Sequence, residues 1–190
     1  MISLEKFGST EISAPALLFI LDRAVPRESV STLLSELSSE FRAGVLVSPI
    51  PPERDLKAFV TVLAEKMEAE GLKRPTVIGI GAGAKVAQFL AIYHSKALRR
   101  VVLVDAESRA MPSLLTRIVE RLSRFFPAGL PLRIESGLYD SRSMLHRITV
   151  PALILLSPHA SAYLRKEWIA ISDRIPNAWR KQLDSQPFFS

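Results

Sequence analysis

The chain has 190 residues, no cysteine and a formal net charge of +6 at pH 7. This length fits one domain with a sizeable core, and the lack of cysteine excludes disulfides, thiolate metal sites and thiol catalysis. The basic residues are spread along the chain without a dense block, which favours a generally basic surface over a nucleic-acid site. We therefore predict a single domain over residues 1–190, with no metal site and no nucleic-acid partner.

Five short runs rich in Val, Ile and Leu lack polar alternation, which is typical of strands buried on both faces of a parallel sheet. These predicted strands are residues 16–21, 43–47, 75–80, 100–104 and 151–156. Helices are predicted between them over residues 30–41, 56–72 and 85–91. The alternation predicts an α/β fold, an open and mostly parallel sheet with helices on both faces.

The longest apolar run near the start of the chain is residues 14–21. It is well short of the roughly 20 residues that span a bilayer. Residues 1–13 hold three charged residues and no uninterrupted apolar stretch, which argues against a secretory signal. We therefore expect a cytoplasmic protein.

The most informative motif is Gly79-Ile80-Gly81-Ala82-Gly83, between a predicted strand and a predicted helix. It has the spacing of the G-x-S-x-G nucleophile elbow, a sharp strand-to-helix turn that exposes its central side chain. Glycine at the centre tolerates the positive φ of such a turn but has no atom that attacks a substrate. The motif predicts an elbow without a nucleophile.

The residues from Gly79 to Ala84 also satisfy G-x-G-x-x-A, with Asp105 at the end of the next predicted strand. In dinucleotide-binding turns of this kind, backbone N–H groups hold a pyrophosphate and the acidic residue binds a ribose. The fingerprint usually opens such a domain, whereas two strand-helix units precede it here. Dinucleotide binding remains an alternative, and the preferred interpretation predicts no cofactor.

A break in the alternation at about residues 106–146 predicts a short insertion over the edge of the sheet. Within it, residues 113–126 form a basic amphipathic pattern. Such a helix most often packs on its own domain, but a wide apolar face also fits a partner-protein groove or an anionic membrane surface. The predicted surface consists of Leu114, Leu115, Arg117, Ile118 and Arg121.

Four segments, in this order and spacing, resemble the α/β-hydrolase superfamily. They are the strand at 14–22, the elbow and helix at 79–87, the helix end and strand at 91–105, and the strand at 145–156 with residues 174–178 after it. The resemblance covers most of the chain. It implies an α/β-hydrolase-like fold that is shortened at the N-terminus and has a minimal cap.

The resemblance also implies where the catalytic groups of the superfamily would lie, and each position holds another residue. Gly81 stands at the nucleophile position and Gln186 near that of the histidine base. Leu21 and Asp22 replace the His-Gly of the oxyanion strand, where a carboxylate would repel an oxyanion. No catalytic residue is therefore expected. The altered edge, a possible ligand site, comprises Leu21, Asp22, Gly81, Ala82, His159 and Gln186.

These departures favour a non-catalytic protein that binds a protein partner, such as an active relative, or a small ligand. The alternative from another class is an esterase or lactonase with a displaced active site near His159. In that case Ser157, Ser161 and Asp105 are expected nearby, because the carboxyl ends of parallel strands share one edge of a sheet.

Overall fold

The computed structural model describes residues 4–9, 14–21, 27–37, 40–47, 51, 53–109 and 140–184. Its strands are β1 Glu5–Gly8, β2 Ala16–Leu21, β3 Arg42–Val47, β4 Thr76–Ile80, β5 Arg100–Val104, β6 Ala152–Leu156 and β7 Ala178–Gln182. Its helices are α1 Arg27–Leu37, α2 Glu53–Ala69, α3 Gly83–Tyr93 and α4 Ala162–Ser172. None of these described helices is both long and apolar enough to cross a membrane.

The strands of the described residues form one sheet in the order β1-β3-β2-β4-β5-β6-β7. Each neighbouring pair is parallel except β1 and β3, which are antiparallel. The open, mostly parallel α/β sheet that the sequence predicts is therefore confirmed. Because β3 lies on one side of β2 and β4 on the other, the chain changes direction there. Such a topological switch point opens a crevice at the carboxyl ends of the strands.

The main core lies on the face of the sheet that carries α2 and α3. Alternate strand residues such as Val77, Val101 and Leu103 are fully buried there and cluster with Leu63 of α2 and Leu90 of α3. Alternation places their neighbours on the opposite face. The residues of β4 and β5 that face the opposite side are also mostly apolar. For this reason the two strands lack the polar alternation of a half-exposed strand.

On the opposite face, a smaller cluster covers β2 and β3. Leu34 of α1 packs there with Phe19 and Val45. Further along the sheet, Val102 and Leu153 lie in register in neighbouring strands and are half-buried. Their neighbour on β7, Trp179, is 61% exposed. Side chains on this face of β5, β6 and β7 are therefore less buried than those on the α2–α3 face.

Several elements differ from the sequence predictions. The strands β1 and β7 and the helix α4 were not predicted, because their sequences are charged or short and lack a clear apolar period. Helix α1 ends at Leu37 rather than at residue 41, since Phe41 precedes β3 directly. The predicted helix over residues 113–126 lies outside the described residues.

Candidate functional site

The turn after β4 has the backbone of a nucleophile elbow. Gly81 has a φ of +55°, and its N–H donates to the carbonyl oxygen of Val104 at 2.9 Å. Within the part of the chain that the structure describes, a Cβ built on Gly81 would meet no heavy atom within 4 Å. The position thus holds the left-handed conformation of an elbow with open space for a side chain, and glycine leaves that space without a reactive atom.

The flanking glycines let α3 pack closely on the sheet. A Cβ on Gly79 would lie 2.7 Å from the Cα of Ala84 and 2.7 Å from the Cβ of Ala87. A Cβ on Gly83 would lie 2.1 Å from the carbonyl oxygen of Ile20 in β2. Steric contact therefore accounts for both glycines, and backbone conformation accounts for Gly81.

The elbow lies at the switch point between β2 and β4. Ala82 is the half-buried residue that precedes α3, and Leu21, at the end of β2, is only 3% exposed. The start of α3 meets the end of β2, because the Cβ built on Gly83 is 3.2 Å from the Leu21 nitrogen. The structure thus brings together Leu21, Gly81 and Ala82. Asp22 and Gln186 lie outside the described residues.

A second left-handed residue lies at the end of the next strand. Asp105 has a φ of +49°, a conformation that aspartate adopts more readily than most residues. Its carboxylate accepts a hydrogen bond from the Ser157 N–H at 2.8 Å and another from the Ser157 hydroxyl. The expected proximity of Asp105 and Ser157 is therefore present, and it joins the ends of β5 and β6.

The other two residues of the displaced-site alternative do not complete a relay. His159 is exposed in the turn after β6, and within the described part of the chain no hydrogen bond to its ring is found. The hydroxyl of Ser161 accepts the Leu164 N–H at 3.2 Å and caps α4. The hydroxyl proton of Ser157 is directed to Asp105 rather than to an imidazole.

A buried carboxylate, which the sequence analysis missed, ties α4 to the loop after β5. Glu167 is 4% exposed and accepts hydrogen bonds from the Ser108 N–H at 2.8 Å and from the Ser108 hydroxyl. Its other oxygen lies 3.4 Å from Nε of Arg109. The Tyr163 hydroxyl donates to the Arg109 carbonyl at 2.8 Å, and burial raises the pKa of Tyr163. These contacts hold Ser108 and Arg109, the last described residues before position 110, against α4.

Gln88 of α3 joins the two ends of the predicted insertion. It is fully buried, donates to the Glu107 carbonyl at 2.9 Å and accepts the Ser141 hydroxyl at 2.9 Å. The Ser141 N–H in turn donates to the Ser108 carbonyl at 2.8 Å. A lone polar residue in the apolar run 86–92 was the available sequence signal for this contact. Glu167, within a charged stretch, gave none.

The described residues on the two sides of the predicted insertion therefore lie together. Arg109 and Asp140 form an isolated antiparallel bridge, and the side-chain hydrogen bond from Arg142 lowers the pKa of Asp140 to about 2. Residues 110–139 lie outside the described residues. The predicted partner or membrane surface falls in that segment, namely Leu114, Leu115, Arg117, Ile118 and Arg121.

No protein-family model matches the sequence, and no curated protein matches it either. Solved structures do match the fold. An enol-lactonase from Burkholderia xenovorans is 17% identical, with a TM-score of 0.73 over 98% of this chain and 89% of its own. An alpha/beta hydrolase from Sphaerobacter thermophilus is 17% identical, with a TM-score of 0.68 over 97% and 89%.

A lipase-esterase related protein from Clostridium acetobutylicum is 15% identical, with a TM-score of 0.72 over 100% of this chain and 93% of its own. At these identities the likeness concerns the fold alone. The chain thus has the α/β-hydrolase fold, as the resemblance in its sequence implied.

Proposed function

We propose that this protein is a non-catalytic member of the α/β-hydrolase fold class that acts by binding. It serves as a partner-binding subunit or as a receptor for a small ligand at the carboxyl edge of the sheet. The observation that carries the proposal is Gly81, which keeps the elbow backbone and the open space above it but has no nucleophilic atom.

The neighbouring polar groups support a role without hydrolysis. A serine nucleophile needs an adjacent base that accepts its proton, and the Ser157 hydroxyl instead donates to Asp105. Close packing explains Gly79 and Gly83, and a positive φ explains Gly81, so a bound ligand is not needed to account for these glycines. This supports an empty elbow over a dinucleotide-binding turn, in which glycines admit a pyrophosphate.

The switch point supports the carboxyl edge as the place of binding. Ligands of open α/β sheets bind in the crevice where the strand order reverses, and Gly81 and Ala82 lie at that crevice. With no side chain at Gly81, the space in which a nucleophile stands in hydrolases of this fold is free for part of a ligand or for a partner side chain.

Native mass spectrometry of the protein, purified gently from its own host, tests this proposal. We expect a mass above that of the 21.1 kDa chain, from a partner protein or a small molecule. The added mass should disappear in Ala82→Trp, which fills the crevice, and persist in Lys166→Trp on the exposed surface of α4. A bare chain, or equal retention by both variants, contradicts the proposal.

A second candidate is a hydrolase with a displaced site, and what favours it is that Ser157 and Asp105 place a hydroxyl group and a carboxylate at the same edge of the sheet. His159 lies two residues further along the same turn. The enol-lactonase and the lipase-esterase related protein that share the fold point to esters and lactones as its substrate class.

A matched pair of serine variants separates this candidate from the first. Any hydrolysis by a displaced site should be lost in Ser157→Ala and retained in Ser161→Ala, which removes only a helix cap. His159→Ala should also abolish it. Equal rates in all variants would count against the displaced site.

A further inference from the structure

The opposite, amino edge of the sheet contains an open cleft of about 680 Å³. It is lined by residues at or just before the start of β2, β3, β4 and β5. The elbow follows the other end of β4. Of the described residues that line it, the charged ones are all basic, namely Arg42, Lys73, Arg74 and Arg99. A cavity of this size is in the range of small-molecule sites, which are roughly 300–1,000 Å³.

One of these cations is held in place by the backbone. Arg42, the first residue of β3, donates from Nε to the Ala14 carbonyl at 3.1 Å and from Nη1 to the Gly71 carbonyl at 3.3 Å. Both carbonyls belong to residues that line the cleft. The guanidinium is therefore positioned before any ligand arrives, with N–H groups left over for an acceptor.

No described carboxylate pairs with the cations of the cleft. Among the described residues, no carboxylate lies within ion-pair distance of Arg42, Lys73, Arg74 or Arg99. The neighbouring cleft beyond Lys73 and Arg74 differs, because Glu65 and Glu68 line it as well. Like charges around one cleft repel one another, and a bound anion relieves that repulsion.

The backbone at Arg74 is also unusual. Its φ of +45° lies in the left-handed region, where a residue other than glycine is strained by about 1–2 kcal/mol. Such strain persists only where the surrounding structure imposes it. The Arg74 side chain therefore lines the cleft although its backbone conformation is strained.

We propose that this cleft binds a small phosphorylated molecule with two or more negative charges. Guanidinium and ammonium groups form charge-assisted hydrogen bonds to phosphate oxygens, and four cations around one cleft favour a di- or triphosphate over a monoanion. The site lies at the sheet edge opposite Gly81, so the inference does not depend on the proposed function.

Calorimetric titration of the full chain with inorganic pyrophosphate, at fixed ionic strength, tests the inference. Lys73→Gln/Arg99→Gln changes two exposed cations of the cleft. Lys166→Gln/Lys181→Gln removes the same charge from exposed positions elsewhere and is the matched control. We expect the first variant to bind pyrophosphate at least about tenfold more weakly than the wild type, and the control to bind like the wild type.

Several outcomes would overturn the inference. One is that sulfate, titrated at the same ionic strength, binds the protein as tightly as pyrophosphate does. Another is equal weakening in the two double variants, which would mean attraction by net charge alone. Reduced stability with unchanged pyrophosphate affinity in Lys73→Gln/Arg99→Gln would assign the cations to the end of α2, whose dipole favours positive charge. Binding to phosphatidylserine vesicles or duplex DNA without binding to pyrophosphate would also contradict it.

Discussion

Ser157 donates both its backbone N–H, at 2.8 Å, and its hydroxyl to the carboxylate of Asp105. Asp105 follows β5 and Ser157 follows β6, and these two strands are adjacent and parallel. The contact therefore links the carboxyl ends of β5 and β6 beside the elbow. It occupies the carboxylate of Asp105 with two hydrogen bonds from one serine. The pair is thus a structural link in the proposed binding protein.

Replacing Asp105 should reveal this structural role. In Asp105→Ala the Ser157 N–H loses its charged acceptor and alanine must adopt a left-handed φ, so we expect a loss of about 3 kcal/mol in unfolding free energy. Asp105→Asn keeps an acceptor and tolerates that φ, and should lose about 1 kcal/mol. Urea unfolding measures both, and equal losses would contradict this explanation.

The glycines of the elbow should differ in their tolerance of alanine. Gly81→Ala meets open space and pays only for its left-handed φ, so we expect a loss of about 1–2 kcal/mol in unfolding free energy. Gly83→Ala places a methyl group against the Ile20 carbonyl of β2, and should cost about 3 kcal/mol or more. Urea unfolding gives the ranking. A Gly83→Ala protein as stable as Gly81→Ala would refute the close approach of α3 to β2.

The two faces of β5 should differ in their sensitivity to truncation. Val101 is fully buried on the face that carries α2 and α3, whereas Val102 is half-buried on the other face. We expect Val101→Ala to lower the unfolding free energy by about 2–3 kcal/mol and Val102→Ala by less than about 1 kcal/mol. The same substitution in adjacent residues makes this a matched pair, and the reverse order would show that the faces are wrongly assigned.

The buried carboxylate of Glu167 should be needed for stability. Glu167→Ala leaves the Ser108 N–H and hydroxyl without their acceptor, and should cost about 3 kcal/mol in unfolding free energy. Its exposed neighbour Lys166 is the control, because Lys166→Ala on the same helix should change stability by less than about 0.5 kcal/mol. Similar values for both variants, measured in urea, would argue against the buried anchor.

Glu70 should make stability depend on pH. Its carboxylate contacts the Nζ atoms of Lys6 at 2.7 Å and of Lys66 at 2.8 Å, and these hydrogen bonds lower its pKa from 4.5 to about 2. Since the folded-state pKa is the lower one, the stabilisation is complete above about pH 4.5 and is lost as the pH falls to about 2.

Melting temperatures of the wild type and Glu70→Gln, measured from neutral pH to about pH 2, check this dependence. The wild type should melt higher at neutral pH, by a small amount because all three groups are solvent-accessible. The difference should vanish near the acidic end. A difference that stays constant over the whole range would contradict the assigned ion pairs.

The sequence predicted the central strands because β2, β4, β5 and β6 are continuous apolar runs, which is how strands covered on both faces are composed. The elbow was equally predictable, since Gly79, Gly81 and Gly83 have a fixed spacing. Strand β7 was not, because its residues Trp-Arg-Lys-Gln are mostly charged or polar and it pairs only with β6 among the described strands.

Part of the candidate site was predictable from the order of the strands rather than from a local sequence motif. Asp105 and Ser157 were expected together because both directly follow parallel strands. The contact between Glu167 and Ser108 joins a helix to a loop 59 positions earlier, and no local pattern encodes such a pairing. The basic cleft was missed for the same reason, since Arg42 and Arg99 come to line one cleft only when β3 and β5 enter the sheet.

The proposal that the protein binds without catalysing hydrolysis is tested most directly by its rate of ester and lactone hydrolysis. The purified wild type and Gly81→Ser are measured side by side. We expect both proteins to match the uncatalysed background, because Gly81 gives the elbow no nucleophile and the residue expected near the position of the base, Gln186, cannot take a proton from a restored serine. A wild-type rate that rises in proportion to protein concentration, and that Ser157→Ala abolishes, would contradict it.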